Sequence, residues 1–378
     1  MKIVVDENIP DATTVFARFG QVVTMPGRKI DRDAVRDADA VIVRSITRVN
    51  RALLEGSTVR FVGSATAGVD HIAQDDLDAL NIQFAHAPGS NADSVVDYVL
   101  AALALRYRGA ALLDGHRVGV VGCGNVGGRL LQRLRAMGIP CCGYDPLLSV
   151  DGLVSFDEVL SCDVISLHVP LTQAGQWPTY HRFSAAELQQ LPTHCLLINA
   201  ARGPVVDNGA LLDWLRQTES AAAVLDTWEF EPRVDDELMQ RCLIGTPHVA
   251  GYALDGKFRG VDMVVASLAS ALGAKGEGQP VRLPGAGVIE ASTLSAGVAW
   301  QEACLRAYDI QQDDQDLRSA LAVAKDEPRR TDAFDRLRKH YPNRREFSAW
   351  TVECEGIKSD ELKQLAAAGF QQNTLVSR

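Results

Sequence analysis

The sequence predicts an α/β protein: two doubly wound parallel-sheet domains followed by a small C-terminal α/β domain. Three observations predict it. Short β-rich runs alternate with stretches long enough for helical crossovers. A glycine-rich turn joins a strand to an amphipathic helix within residues 116–146. A Gly/Pro-rich stretch, KGEGQPVRLPGAG at 275–287, sets the last part of the chain apart as a separate segment. At 378 residues the chain also exceeds what one hydrophobic core usually organises.

The runs KIVV (2–5), AVIVR (40–44) and VRFVG (59–63) begin the first sheet. NADSVVDYVLAALALRYR (91–108) repeats apolar residues at helical spacing behind the caps Asn91 and Asp93, and marks the first boundary. HRVGVVGCGNVGGRLLQRLRAMGIPCCGYDP (116–146) reads strand, tight turn, helix, strand. Further strands are expected at 163–169, 195–199, 222–226 and 242–245, with a helix at 207–216 among them. A helical pattern from Asp255 to Gly273 returns to the first domain, which is therefore discontinuous: residues 1–92 and 257–280 enclose a dinucleotide-binding domain at 93–256. The third domain, 286–378, is expected to carry helices near 294–308, 312–325 and 331–340 and a strand near 347–354.

Composition excludes several classes. The apolar fraction is 47% and the charged fraction 23%, and no apolar run reaches the roughly 20 residues of a membrane span. The opening MKIVVDENIP reads as a strand rather than a secretory signal, so a cytoplasmic protein is expected. Eight cysteines, without a CxxC pair or a histidine at zinc-ligand spacing, read as reduced thiols, and no metal site is expected. A net charge of −10 repels nucleic acid, and the adjacent Arg344 and Arg345 do not offset it.

Chemistry concentrates after the strands of the second domain. Gly122-Cys123-Gly124-Asn125-Val126-Gly127 is GxGxxG between a strand and a helix. Its glycines allow a tight turn, close approach of backbone to a pyrophosphate, and close helix–strand packing, while the helix N-terminus offers N–H donors. Asp145, at the end of the next strand, suits the ribose hydroxyls and would repel a 2′-phosphate, which selects NAD. Arg202, after the strand CLLIN, can grip a carboxylate bidentately. His248 titrates near neutrality and can accept a hydroxyl proton, and Glu231 is the carboxylate chosen to orient it.

The consecutive motifs GCGNVG, NAARGPVVDNGAL, LDTWEFEP and PHVAG resemble those of the D-isomer-specific 2-hydroxyacid dehydrogenases. The resemblance implies two Rossmann-like domains, with Arg202 holding the substrate carboxylate, His248 as acid/base and Glu231 as its partner. It places Asp226 on the nicotinamide side and adds Ala201, Arg202, Gly203 and Gly251 to the cofactor-binding residues Gly122, Gly124, Asn125, Val126, Gly127 and Asp145. By the same resemblance, Ser45, Thr66 and Tyr252 contact substrate, and Val169 stands where the family usually has a threonine, so that its contact to the cofactor is through backbone. MKIVVDENIP, GSATAGVDHI, APGSNADSVVDYV and the extra C-terminal domain are similar to a branch of the family whose substrate is a small phosphorylated hydroxy acid and which forms homodimers partly through that domain. A phosphate needs its own cation, for which Arg44, Arg344 and Arg345 are the candidates. Turnover of another D-2-hydroxy acid such as 3-phosphoglycerate, or service as an NAD-sensing interaction protein, remain the alternatives.

Overall fold

A computed structural model describes residues 1–109, 115–273 and 281–373. The chain divides into two compact units, Met1–Asn91 with Ala253–Leu283, and Ala92–Tyr252 with Pro284–Arg378.

The first unit is a five-stranded parallel sheet of β1 (Lys2–Asp6), β2 (Gln21–Met25), β3 (Ala40–Val43), β4 (Phe61–Ser64) and β5 (Gln83–His86), in the order β2-β1-β3-β4-β5. The central strands are apolar at nearly every position because both faces are covered. The edge strands β2 and β5 are half-exposed and polar at their ends, which is why their sequences give no strand signal. Helix Leu254–Ala271 packs Val261, Val264 and Leu268 against Ile3, Val5, Ile42 and Phe61, so the returning segment completes this unit's core.

The second unit holds six parallel strands: β6 (Val118–Val121), β7 (Cys141–Tyr144), β8 (Val164–Leu167), β9 (Leu196–Asn199), β10 (Ala222–Leu225) and β11 (Ile244–Gly245). Their order is β11-β10-β9-β8-β6-β7. The winding reverses at β6, and in doubly wound sheets such a reversal opens a ligand crevice at the carboxyl ends of the strands. Both sheets are thus doubly wound.

The C-terminal segment forms a second, three-stranded parallel sheet within this unit, β12 (Gly287–Ile289), β13 (Trp350–Glu353) and β14 (Gln371–Asn373), in that order. It shares a core with the dinucleotide sheet. Helix Ala92–Arg106 is buried along most of its length between Val118, Leu130 and Leu134 on one side and Trp300, Ala303, Cys304 and Phe347 on the other. Arg133 fastens the seam, donating to Asp93 (2.6 Å), Asp97 (2.7 Å) and the Ala368 carbonyl (2.8 Å).

Helices Ala299–Ala307, Ile310–Val323 and Glu327–Lys339 fall where expected, the first beginning later because Ala291–Thr293 is a 3-10 turn and Gly297 has φ +87°. Helix Ser359–Ala368 and strands β12 and β14 had no counterpart in the sequence reading. Residues 275–280 of the Gly/Pro stretch lie outside the described residues, and its remainder runs without regular structure into β12. No described helix is long and apolar enough to cross a membrane.

Candidate active site

Because every strand of the six-stranded sheet runs the same way, the segments after β6, β7, β9, β10 and β11 leave it at one edge. These segments carry the cofactor-binding and catalytic candidates of the second unit, together with Tyr252, whereas Val169 follows β8 and Arg344 and Arg345 lie in the C-terminal segment.

The glycine turn after β6 has the shape that a dinucleotide requires. Gly122 takes φ +86°, and a Cβ there would lie 2.7 Å from Val169 Cγ1 and 2.8 Å from the His168 carbonyl oxygen. A Cβ on Gly127 would stand 1.9 Å from the Gly122 oxygen, so only glycine lets the helix start this close to the strand. A Cβ on Gly124 would meet nothing within 4 Å, leaving the turn open on the side where a pyrophosphate would approach. Helix Asn125–Ala136 starts there without a side-chain cap, so its first N–H donors face the same space. These residues fit NAD. Asp145 anchors the turn, accepting from Cys123 N (2.9 Å) and Leu147 N (3.0 Å); each carboxylate oxygen retains a lone pair for a ribose hydroxyl.

Asn199, at the end of β9, shapes the next loop. Its amide donates to the Arg202 carbonyl (3.0 Å), and its oxygen accepts from Ala201 N (3.1 Å). Gly203 packs so closely on the following loop that a Cβ would fall 1.9 Å from the Trp228 oxygen, so this glycine serves loop-on-loop packing. Arg202 sits between them, half-buried, with Nη1 donating to the Ala201 carbonyl (2.8 Å).

Two acids, Glu229 and Glu231, follow β10, and the structure separates them. Glu229 binds His181 Nε2 (2.6 Å) and Asn208 N (3.0 Å). Glu231 Oε1 meets His248 Nδ1 at 2.6 Å, while Oε2 accepts from Trp228 N (3.2 Å). Burial pushes the Glu231 carboxyl up, but the charge and hydrogen bond of His248, the Trp228 N–H and the charge of Arg338 outweigh it, leaving Glu231 below the ordinary carboxylate range. Both side chains of the pair remain about a quarter exposed, and Glu231 occupies only one of the two ring nitrogens of His248.

His248 adopts φ +56°, a conformation that is uncommon outside glycine. Asp226 holds it there. Its backbone oxygen accepts from His248 N (2.8 Å), and its buried carboxylate accepts from Thr246 Oγ1 (2.7 Å), Val249 N (2.7 Å) and Ala250 N (3.0 Å). Tyr98 (2.8 Å to Thr246) and the Trp228 indole (3.0 Å to the Thr246 carbonyl) brace the same loop. Asp226, placed beside the nicotinamide by sequence resemblance, therefore also builds the loop that carries His248. Sequence reasoning missed Asn199, Tyr98, Trp228 and Thr246 as parts of this frame; only their adjacency to the motifs could have signalled them.

Gly251 and Tyr252 follow directly, part-exposed. The Tyr252 hydroxyl accepts from Arg338 Nη2 (3.0 Å), a residue that sequence reasoning did not consider. In the first unit, Ser45 is exposed and Thr66 part-exposed on loops following β3 and β4, with Thr66 Oγ1 2.7 Å from Ser64 Oγ.

Of the phosphate candidates, Arg344 is corrected by the structure: it is buried, its guanidinium donates to the Ser94 and Ala250 carbonyls, and it lies 4.2 Å from the Tyr308 ring centroid. It is part of the core. Arg345 Nη1 donates to the Pro284 carbonyl (2.7 Å), and Arg44 Nη1 reaches the Asn8 carbonyl at 3.5 Å.

A GxGxxG cradle, a carboxylate-paired histidine and an arginine at one sheet edge define a nicotinamide-dependent 2-hydroxyacid dehydrogenase. Residues 104–250 match the family model of the D-isomer specific 2-hydroxyacid dehydrogenase, NAD binding domain, and residues 288–369 match a domain of unknown function (DUF3410). The chain belongs to the family of erythronate-4-phosphate dehydrogenases. It is 46% identical to the one from Stutzerimonas stutzeri (strain A1501), covering 94% of this chain and 95% of that relative. It is 43% identical to the one from Cellvibrio japonicus (strain Ueda107), covering 98% and 100%. Among solved structures, the D-lactate dehydrogenase of Aquifex aeolicus complexed with NAD and lactic acid matches with TM-score 0.60 and 23% identity, over 72% of this chain and 96% of that one. The NAD-bound 3-phosphoglycerate dehydrogenase of Entamoeba histolytica matches with TM-score 0.60 and 22% identity, over 75% and 99%. At these identities the two structures speak for the fold alone.

Proposed function

We propose that this chain oxidises 4-phospho-D-erythronate at C2 to 2-oxo-3-hydroxy-4-phosphobutanoate with NAD, a step of pyridoxal 5′-phosphate (vitamin B6) biosynthesis. The observation that carries the chemistry is the His248–Glu231 pair at 2.6 Å, on the sheet edge that also bears Arg202 and the glycine cradle. The substrate follows from the names of the full-length relatives.

Arg202 takes the C1 carboxylate and so fixes C2 before His248. The imidazole nitrogen not bound to Glu231 removes the C2 hydroxyl proton. Glu231 holds the ring by Nδ1 and stabilises the imidazolium as it forms. NAD, held by Gly122, Gly124, Asn125, Val126, Gly127 and Asp145 with Ala201, Arg202, Gly203, Asp226 and Gly251, supplies the acceptor for the C2 hydride. Ser45, Thr66 and Tyr252 are further substrate contacts. The protein acts in the cytoplasm as a homodimer assembled partly through residues 286–378, a reading supported by Val288, which is exposed on the edge strand β12.

The test is NADH absorbance with 4-phospho-D-erythronate beside 3-phosphoglycerate and D-lactate, repeated with added 2-oxo acids to release bound NADH. A clear preference for 4-phospho-D-erythronate is expected, with a loss of about 100-fold or more in kcat for His248→Asn. Activity only on another acid refutes the substrate, and unimpaired turnover by His248→Asn refutes the mechanism.

A further inference from the structure

We propose that Arg338, on the C-terminal helix Glu327–Lys339, binds the phosphate group of the substrate. The inference rests on the reading above that the substrate carries a phosphate at C4.

The phosphorus lies four bonds from C2, roughly 5 Å away in an extended chain. A cation that meets it must therefore stand near His248. Arg338 does. Its Nη2 donates to the hydroxyl of Tyr252, four residues beyond His248, and its guanidinium carbon lies 5.6 Å from that ring's centroid. It is also close enough to Glu231 for each charge to act on the other.

The side chain is held but not saturated. Its Nε is buried without a hydrogen-bond partner among the described residues, whereas guanidinium donors this close to a core are ordinarily satisfied. The side chain as a whole is part-exposed, so a phosphate oxygen would be received at the guanidinium fork that meets Tyr252, and arginine suits it through its planar set of N–H groups. Of the other arginines, Arg345 is engaged on the Pro284 carbonyl, Arg44 reaches the Asn8 carbonyl at 3.5 Å, and Arg330 of the same helix holds Asp236 and the Leu321 and Val234 carbonyls; Arg344, whose Nη1 also has no partner among the described residues, is enclosed in the core with the Ser94 and Ala250 carbonyls and the Tyr308 ring. On this account the C-terminal segment contributes to substrate choice, and the catalytic groups need read only the carboxylate and C2.

Two measurements on the full-length protein test this. Calorimetric titration with inorganic phosphate, in the presence of saturating NADH, compares wild type with Arg338→Met and Arg338→Lys without any turnover. Loss of at least roughly 10-fold in affinity with Met, partly restored by Lys, is expected; equal affinity in wild type and Met, or none in either, overturns the proposal. In turnover, the ratio of kcat/KM for 4-phospho-D-erythronate over D-erythronate should fall roughly 10- to 100-fold in the Met variant, mainly through KM. A loss that leaves the ratio unchanged marks Arg338 as structural and also overturns it. A wild-type enzyme that oxidises neither acid refutes the functional reading instead, and the phosphate titration then still decides the role of Arg338.

Discussion

Two glycines of one turn should fail in opposite ways when replaced by alanine. In Gly127→Ala the new Cβ falls 1.9 Å from the Gly122 carbonyl oxygen. Both atoms belong to backbone, so no rotamer change relieves the clash, and strand and helix must separate by more than roughly 1 Å. Overpacking of that kind costs about 3 kcal/mol or more, which lowers the melting temperature by roughly 6–12 °C at this domain size. In Gly124→Ala the Cβ meets nothing within 4 Å, and the only folded-state cost is the backbone conformation, φ −74° and ψ −140°, which lies outside the regions L-residues favour. That strain costs about 1 kcal/mol, so the NAD-free variant should melt roughly 2–4 °C below wild type, well short of Gly127→Ala. Its larger cost appears on binding, because the methyl group occupies the space a pyrophosphate needs: NAD affinity should fall at least about 10-fold, or about 1.4 kcal/mol. Calorimetric melting and NAD titration of both variants are the assay. A Gly127→Ala protein that melts with wild type, or a Gly124→Ala protein that binds NAD normally, refutes the steric reasoning.

Asp226→Asn places an amide N–H₂ against donors that the carboxylate now satisfies, leaving a buried group unpaired. A loss of about 2–4 kcal/mol in stability is expected, with a fall in kcat as the His248 loop shifts, measured by denaturant melts and NADH formation. Burial pushes His71 down to about 4 and His168 to about 3, from an ordinary 6.5. Both folded values lie below the unfolded one, so the unfolded chain takes up protons first; stability is complete above pH 6.5 and falls as the pH drops through the window down to 4. The loss approaches about 1.4 kcal/mol per pH unit for each histidine. Melting temperature against pH reads it, and His168→Gln should flatten the slope; a profile flat across that window would refute the assignment.

The parts of the site legible in the sequence are those where one residue type is forced by backbone geometry or by charge at a strand end: Gly122, Gly127, Asp145, Arg202 and His248. Glu231 is singled out by its motif, and the tertiary structure supplies the physical reason: two positions in one loop separate an acid on His248 from one on His181. Buried central strands announced themselves as apolar runs, whereas β2 and β5, at the sheet edges, alternate too weakly to be seen. Arg338 was invisible for a different reason. It sits in EPRRTDAFDRLRK, where basic residues are the rule and nothing in the spacing singles out the one that turns toward Tyr252.

The first unit's division between Met1–Asn91 and Ala253–Leu283 has a consequence during synthesis on the ribosome. The face of β1, β3 and β4 bearing Ile3, Val5, Ile42 and Phe61 emerges long before Val261, Val264 and Leu268, which cover it. Translation of residues 92–252 fills that interval, roughly 10–30 s at ordinary elongation rates. Through that time a nascent chain presents a sticky, half-finished sheet while the segment behind it is free to fold. A chaperone that shields apolar strands therefore has its substrate here, and slow codons ahead of residue 253 would lengthen the exposure and lower the yield of active enzyme.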